Sequence, residues 1–156
     1  MKDSIGRLVS QGKALGAFSC SRTYRLVTTA PIDRLWGQLA NLADLSWHPL
    51  LAKTNLPLGL MPKPGLIFQA VTRLTPIPIR LFVENARPGQ LLSLRLVSFP
   101  GLEQKITYQM ESTLLGTYLC YSVTLRGWLS PLIWWLIKPY SDRVVGALAQ
   151  AVERRV

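Results

Sequence analysis

From Phe18 onward the chain alternates with a period of two. In "FSCSRTYRLVTT", Phe18, Cys20, Tyr24, Leu26 and Thr28 share one face, while Ser19, Ser21, Thr23 and Arg25 share the other. That spacing predicts a strand. The period then changes. In "APIDRLWGQLANL", Ile32, Leu35, Trp36, Leu39 and Leu42 recur at helical spacing behind Pro31, a residue suited to the first position of a helix. A second short helix or turn leads to "SWHP", where Pro49 disfavours helical geometry at His48.

Period two returns in "LIFQAVTRL", "IPIRLFVENARPG", "QLLSLRLVSF", "EQKITYQMEST" and "GTYLCYSVTLRG", within a run of about six antiparallel strands. The last segment, "SPLIWWLIKPYSDRVVGALAQAVERRV", reads as one long helix. Ser130 is placed to cap it and Pro131 to begin it. Ile133, Ile137, Tyr140, Val144, Leu148 and Ala151 draw its stripe, which runs in phase through Pro139 and predicts a kink there. One sheet with a single apolar face needs a cover, and only this helix is long enough. The expected class is α+β, a curved antiparallel sheet wrapped around the terminal helix, with two short helices after the first strand.

Composition adjusts that picture. The 156 residues suit one domain, residues 18–156, preceded by a weakly helical extension over 1–17 whose apolar residues are Ile5, Leu8, Val9 and Leu15. Apolar residues make up 49% and charged ones 17%, and 18 Lys and Arg against 8 Asp and Glu leave a net charge of +10. Such a balance favours anionic partners. No run approaches the roughly 18 apolar residues of a membrane span, and the N-terminus lacks a secretory core, so a cytoplasmic protein is expected. Cys20 and Cys120 have opposite strand parity and are expected as free thiols; with a single histidine, they offer no metal site.

"APIDRLWGQLANLADLSWHPLL" resembles the opening of the SRPBCC superfamily, the START-like or helix-grip proteins that include the polyketide cyclase/dehydrase family. The resemblance rests on Ala30 and Pro31 before the first helix, Trp36 on it, and the corner of Trp47 and Pro49, together with the amphipathic terminal helix. It covers residues 18–156. The Gly-rich loop of the plant pollen-allergen branch is replaced here by "PLGLMPKPGL". The resemblance implies a cavity between sheet and helix for apolar molecules such as lipids, quinones, isoprenoids or polyketides. No cofactor is expected.

On that basis the expected cavity residues are Trp47, His48, Phe68, Thr72, Leu81, Leu94, Tyr108, Met110, Tyr121, Ile137, Tyr140 and Val144. Thr72, Tyr108 and Tyr121 would be its sparse polar points. His48 is the weak catalytic candidate: general acid/base chemistry needs a partner, and nearby only Asp44 and Ser46 are on offer. The inner face carries no carboxylate, which favours a carrier over a cyclase/dehydratase-like enzyme. Arg22 breaks the inner face by parity. The outer face collects Arg25, Arg73, Arg80, Arg95, Lys105 and Arg126 against Glu84 and Glu111, so an interaction module acting through that basic face is a further alternative. One cation per strand without interleaved exposed aromatics disfavours nucleic acid. Trp134 and Trp135 fall off the helix stripe next to Lys138, and are candidates for contact with an anionic membrane surface.

Overall fold

The computed structural model describes residues 19–57, 59–74, 76–96 and 102–154. The expected N-terminal extension, with the charges Lys2, Arg7 and Lys13, lies outside them. The elements run β1 (Ser19–Thr28), α1 (Ile32–Ala40), β2 (Leu51–Thr54), β3 (Ile67–Thr72), β4 (Pro78–Arg87), β5 (Leu91–Leu96), β6 (Glu103–Thr113), β7 (Gly116–Arg126), α2 (Ser130–Ser141) and α3 (Val144–Arg154). All seven strands form one antiparallel sheet in the order β1-β7-β6-β5-β4-β3-β2. The sheet curls into a half-barrel that grips the bent C-terminal helix, so the helix-grip α+β class holds.

Alternation decides which face is apolar. Phe68, Ala70, Leu81, Val83, Leu92, Tyr108, Leu119, Tyr121 and Val123 are all buried on the concave side. A bulge between Val83 and Asn85 shifts the register of β4, so that Ala86 comes opposite the buried Leu92. Three tyrosines lie side by side across β1, β7 and β6. Tyr24 is paired with Tyr121 and Tyr121 with Tyr108, at ring separations of 6.1 and 5.0 Å. Cys20 pairs with Leu125 and Cys120 with Arg25, on opposite faces, and both cysteines are free.

Two local expectations are corrected, and the bend of the terminal helix is located. Between α1 and β2 the chain forms turns rather than a second short helix, because Pro49 and the His48 corner interrupt it. The terminal helix is two segments, since Asp142 and Arg143 close α2 with N–H bonds to the carbonyls of Lys138 and Tyr140. Pro139, which cannot donate, sits in the last turn of α2, just before this break. Ser130 does not cap: its hydroxyl donates to the Gly127 carbonyl, and the helix is preceded by Leu129 without a side-chain cap.

Position along the sheet decides what is filled. Both α2 and α3 pack on β1 and β7, and α3 also meets α1. At that end Leu35, Leu39, Leu119, Val144, Val145 and Leu148 are fully buried. The space under β3 to β6, beside α2, is where the candidate site lies.

Candidate functional site

A cavity of about 380 Å³ opens between α2 and the concave sheet. Its wall is built from β2 (Leu51), β3 (Thr72), β4 (Ile79, Leu81), β5 (Leu96), β6 (Gln104, Ile106) and β7 (Tyr121). Ile133, Leu136, Ile137 and Ser141 of α2 cover it, and His48, Leu50, Leu74 and Leu102 close the ends. No Asp, Glu, Lys or Arg is among these residues.

His48 occupies the corner foreseen from "SWHP", and its geometry decides its chemistry. It is buried, and Nδ1 accepts the backbone N–H groups of both Leu50 and Leu51 at 3.0 Å. A nitrogen that accepts carries no proton, so the neutral ring bears its hydrogen on Nε2. Burial pushes the imidazole down to about 3, helped by the nearby Arg73 guanidinium. Arg73 Nε in turn donates to the His48 carbonyl at 3.1 Å, and the His48 N–H donates to the Leu45 carbonyl at 3.0 Å. His48 therefore holds the corner, has no free basic nitrogen on the Nδ1 side, and stays neutral at physiological pH. Trp47 stacks obliquely on it at 5.0 Å.

Burial likewise raises the phenols. Tyr108 and Tyr121 are pushed well up by burial, and Tyr24 rises to about 12, burial first and then Asp142, against the pull of Arg22. All three remain protonated and can donate hydrogen bonds. The Ser141 hydroxyl lies beside that of Tyr121, but its oxygen makes no well-formed hydrogen bond; Thr72 Oγ1 is likewise buried without a partner.

Of the residues expected in the cavity, the structure brings together His48, Thr72, Leu81, Tyr121 and Ile137. Phe68, Leu94, Tyr108 and Val144 are packed core instead, because neighbouring side chains occupy the space they face. Trp47 is half-buried behind His48. Met110 borders a separate, more polar surface depression with Arg87, Gln90 and Tyr118. Tyr140 is turned to the outside of α2, in a shallow cleft with Trp135 and Lys138. Two polar residues of the wall were missed. Gln104 continues the inner parity of Ile106 and Tyr108 by one step, and Ser141 falls four residues after Ile137 on the α2 stripe.

Arg22, the inward cation, lies with its guanidinium over the Trp134 ring, 5.3 Å from the centroid. Trp134 is thereby half-buried and packed on the core, which removes it from the surface where it was expected. Trp135 is 73% exposed, with Leu132 and Leu136 exposed beside it and Lys138 one turn on. Three cations of the convex face are engaged with two carboxylates. Arg95 meets Glu84 at 2.6 Å and Glu103 at 3.4 Å, Lys105 meets Glu84 at 3.2 Å, and Arg126 meets Glu103 at 3.9 Å. Among the described residues there is no cluster of metal-ligating side chains, and no helix is long and apolar enough to cross a membrane.

The same architecture recurs among solved structures. Protein MLL2253 from Mesorhizobium loti superposes with a TM-score of 0.67 at 18% identity, over 86% of this chain and 97% of that one. The Zhui aromatase/cyclase from a Streptomyces species matches with a TM-score of 0.68 at 13% identity, over 88% and 95% of the two chains. The fold is the helix grip that these structures share. Ara h 8.0201 shares the helix grip too, with a TM-score of 0.68 at 12% identity, over 87% and 99%. No protein-family model matches the chain, and no curated protein matches it by sequence.

Proposed function

We propose that this helix-grip protein binds an apolar small molecule, of the lipid, quinone, isoprenoid or polyketide kind, in the cavity between sheet and α2. The observation that carries this reading is the lining: about 380 Å³ bounded by aliphatic side chains with a few polar points and no charge. Ligand pockets of this kind span about 300–1,000 Å³. Carriage is favoured over catalysis, because an acid/base mechanism needs a titrating pair and His48, held neutral with Nδ1 occupied, has none in the wall. The aromatase/cyclase activity in the name of one structural neighbour leaves a cyclase/dehydratase-like enzyme as the alternative.

The test is displacement of an apolar fluorescent probe, N-phenyl-1-naphthylamine. Wild-type protein is expected to bind it saturably. Ile79→Trp, placed on a half-buried wall residue, is expected to weaken binding by roughly tenfold or more while folding is retained, since a side chain and a ligand cannot share one volume. Absence of saturable binding by the wild type would refute the reading.

Exposed apolar residues beside the cavity support a second element, loading at a membrane surface. Leu74 and Leu136 belong both to the cavity wall and to the exposed surface, and Trp135 and Lys138 adjoin them. Indoles favour the bilayer interface, and cations favour anionic lipid. Flotation with phosphatidylserine-containing vesicles at low salt is expected to carry the wild type. Trp135→Ala combined with Leu136→Ala is expected to lower the bound fraction severalfold. Equal flotation of both proteins, or none, excludes this face.

A further inference from the structure

The cavity is apolar along its length but not at one end, and resting on the binding reading above, we propose that its ligand carries a neutral hydrogen-bond-accepting oxygen, a ketone or quinone carbonyl, bound by His48 Nε2–H. The Nδ1 edge of the imidazole faces the chain, where Leu50 and Leu51 donate to it. His48 lines the cavity, and with Nδ1 turned to the chain, Nε2–H is the polar group of the ring left to serve it. Its proton is compulsory in the neutral ring, so this group can only donate. The corner is rigidly held, with the His48 N–H on the Leu45 carbonyl and the His48 carbonyl on Arg73.

A further wall residue points to a polar ligand atom. Thr72 carries a buried hydroxyl oxygen without a hydrogen-bond partner, an uncommon state in a folded protein, whereas the Ser141 hydroxyl already lies beside that of Tyr121. A hydroxyl swings about one bond, so Thr72 can offer a donor to the cavity it lines. Charge selects against an acid: with no cation among the described residues of the wall, a carboxylate would lose its hydration without a counter-ion beside it. A plain hydrocarbon would fill the space but leave these donors unused. A carbonyl oxygen satisfies both demands.

The full chain is titrated with three probes of one skeleton: 2-acetylnaphthalene, 2-ethylnaphthalene and 2-naphthoic acid. The ketone is expected to bind about 5- to 10-fold more tightly than the hydrocarbon, the weight of one buried neutral hydrogen bond, and the acid most weakly. His48→Asn keeps a side-chain oxygen where Nδ1 accepts Leu50 and Leu51 and lacks the Nε2 donor. It is expected to remove the ketone preference while hydrocarbon binding persists. Because His48 is the only histidine, ¹⁵N-histidine labelling of the wild type gives an independent readout. The Nε2–H proton should move downfield with the ketone and not with the hydrocarbon. Equal binding of ketone and hydrocarbon, a stationary Nε2–H, or tighter binding of the acid overturns the carbonyl assignment and leaves the apolar-cavity reading standing. Binding of none of the three overturns both.

Discussion

The guanidinium of Arg22 lies 5.3 Å above the centre of the Trp134 ring, joining the inward face of β1 to the first half of α2. Strand parity forces that cation toward the core, because Arg22 pairs with the buried Val123. The indole face offers it an attractive surface. A double-mutant cycle on Arg22→Met and Trp134→Leu, followed by urea unfolding, is expected to show a coupling of about 1 kcal/mol. Trp135→Ala, next in sequence but exposed, is expected to shift stability by no more than about 0.5 kcal/mol.

His48 makes stability depend on pH. Its folded-state value of about 3 lies below the ordinary value of 6.5, so the unfolded chain binds the proton first as pH falls. Stability from this group is complete above about pH 6.5 and is lost toward pH 3. The slope is at most about 1.4 kcal/mol per pH unit. Unfolding midpoints between pH 7 and 5 should fall for the wild type, and fall less steeply for His48→Asn.

Gly116 opens β7 with φ +139, and a Cβ there would run into the Thr28 carbonyl oxygen of β1. Gly116→Ala is therefore expected to cost about 2 kcal/mol or more, seen as a melting temperature lower by roughly 4–8 °C. Gly89 also has positive φ, +73, but open space around it. Gly89→Ala carries only the left-handed backbone cost of about 1–2 kcal/mol and should be the milder of the two.

Glu84 joins two cations across β4, β5 and β6. Burial would raise its carboxyl, but hydrogen bonds from Lys105 and Arg95 outweigh that and hold it below its ordinary value. Glu84→Gln is expected to lose up to about 1 kcal/mol at low ionic strength. Repeating the urea titration in about 1 M salt should shrink the difference, because screening weakens the network in the wild type.

What the amino-acid sequence determined by itself was everything governed by neighbours along the chain. Alternation of period two separated Tyr24, Leu81, Tyr108 and Tyr121 from Arg25, Arg95 and Lys105, and the opposite parity of Cys20 and Cys120 kept their thiols apart. The helix stripe placed Ile137 and Val144 inward, and Pro49 marked the corner at His48. Inward, however, does not mean facing a cavity. Phe68 and Thr72 share one face of β3, yet only Thr72 borders empty space. That difference depends on how far α1 and α3 reach along the sheet, and on the break after Ser141 that ends α2. These are long-range placements, set by the summed packing of side chains far apart in sequence. The same holds for Trp134 and Trp135: both fall off the helix stripe, yet Trp134 packs on the core beneath Arg22 of β1 while Trp135 stays in solvent. Local pattern specifies which way a side chain points; only the assembled sheet and helices specify what, if anything, it meets there.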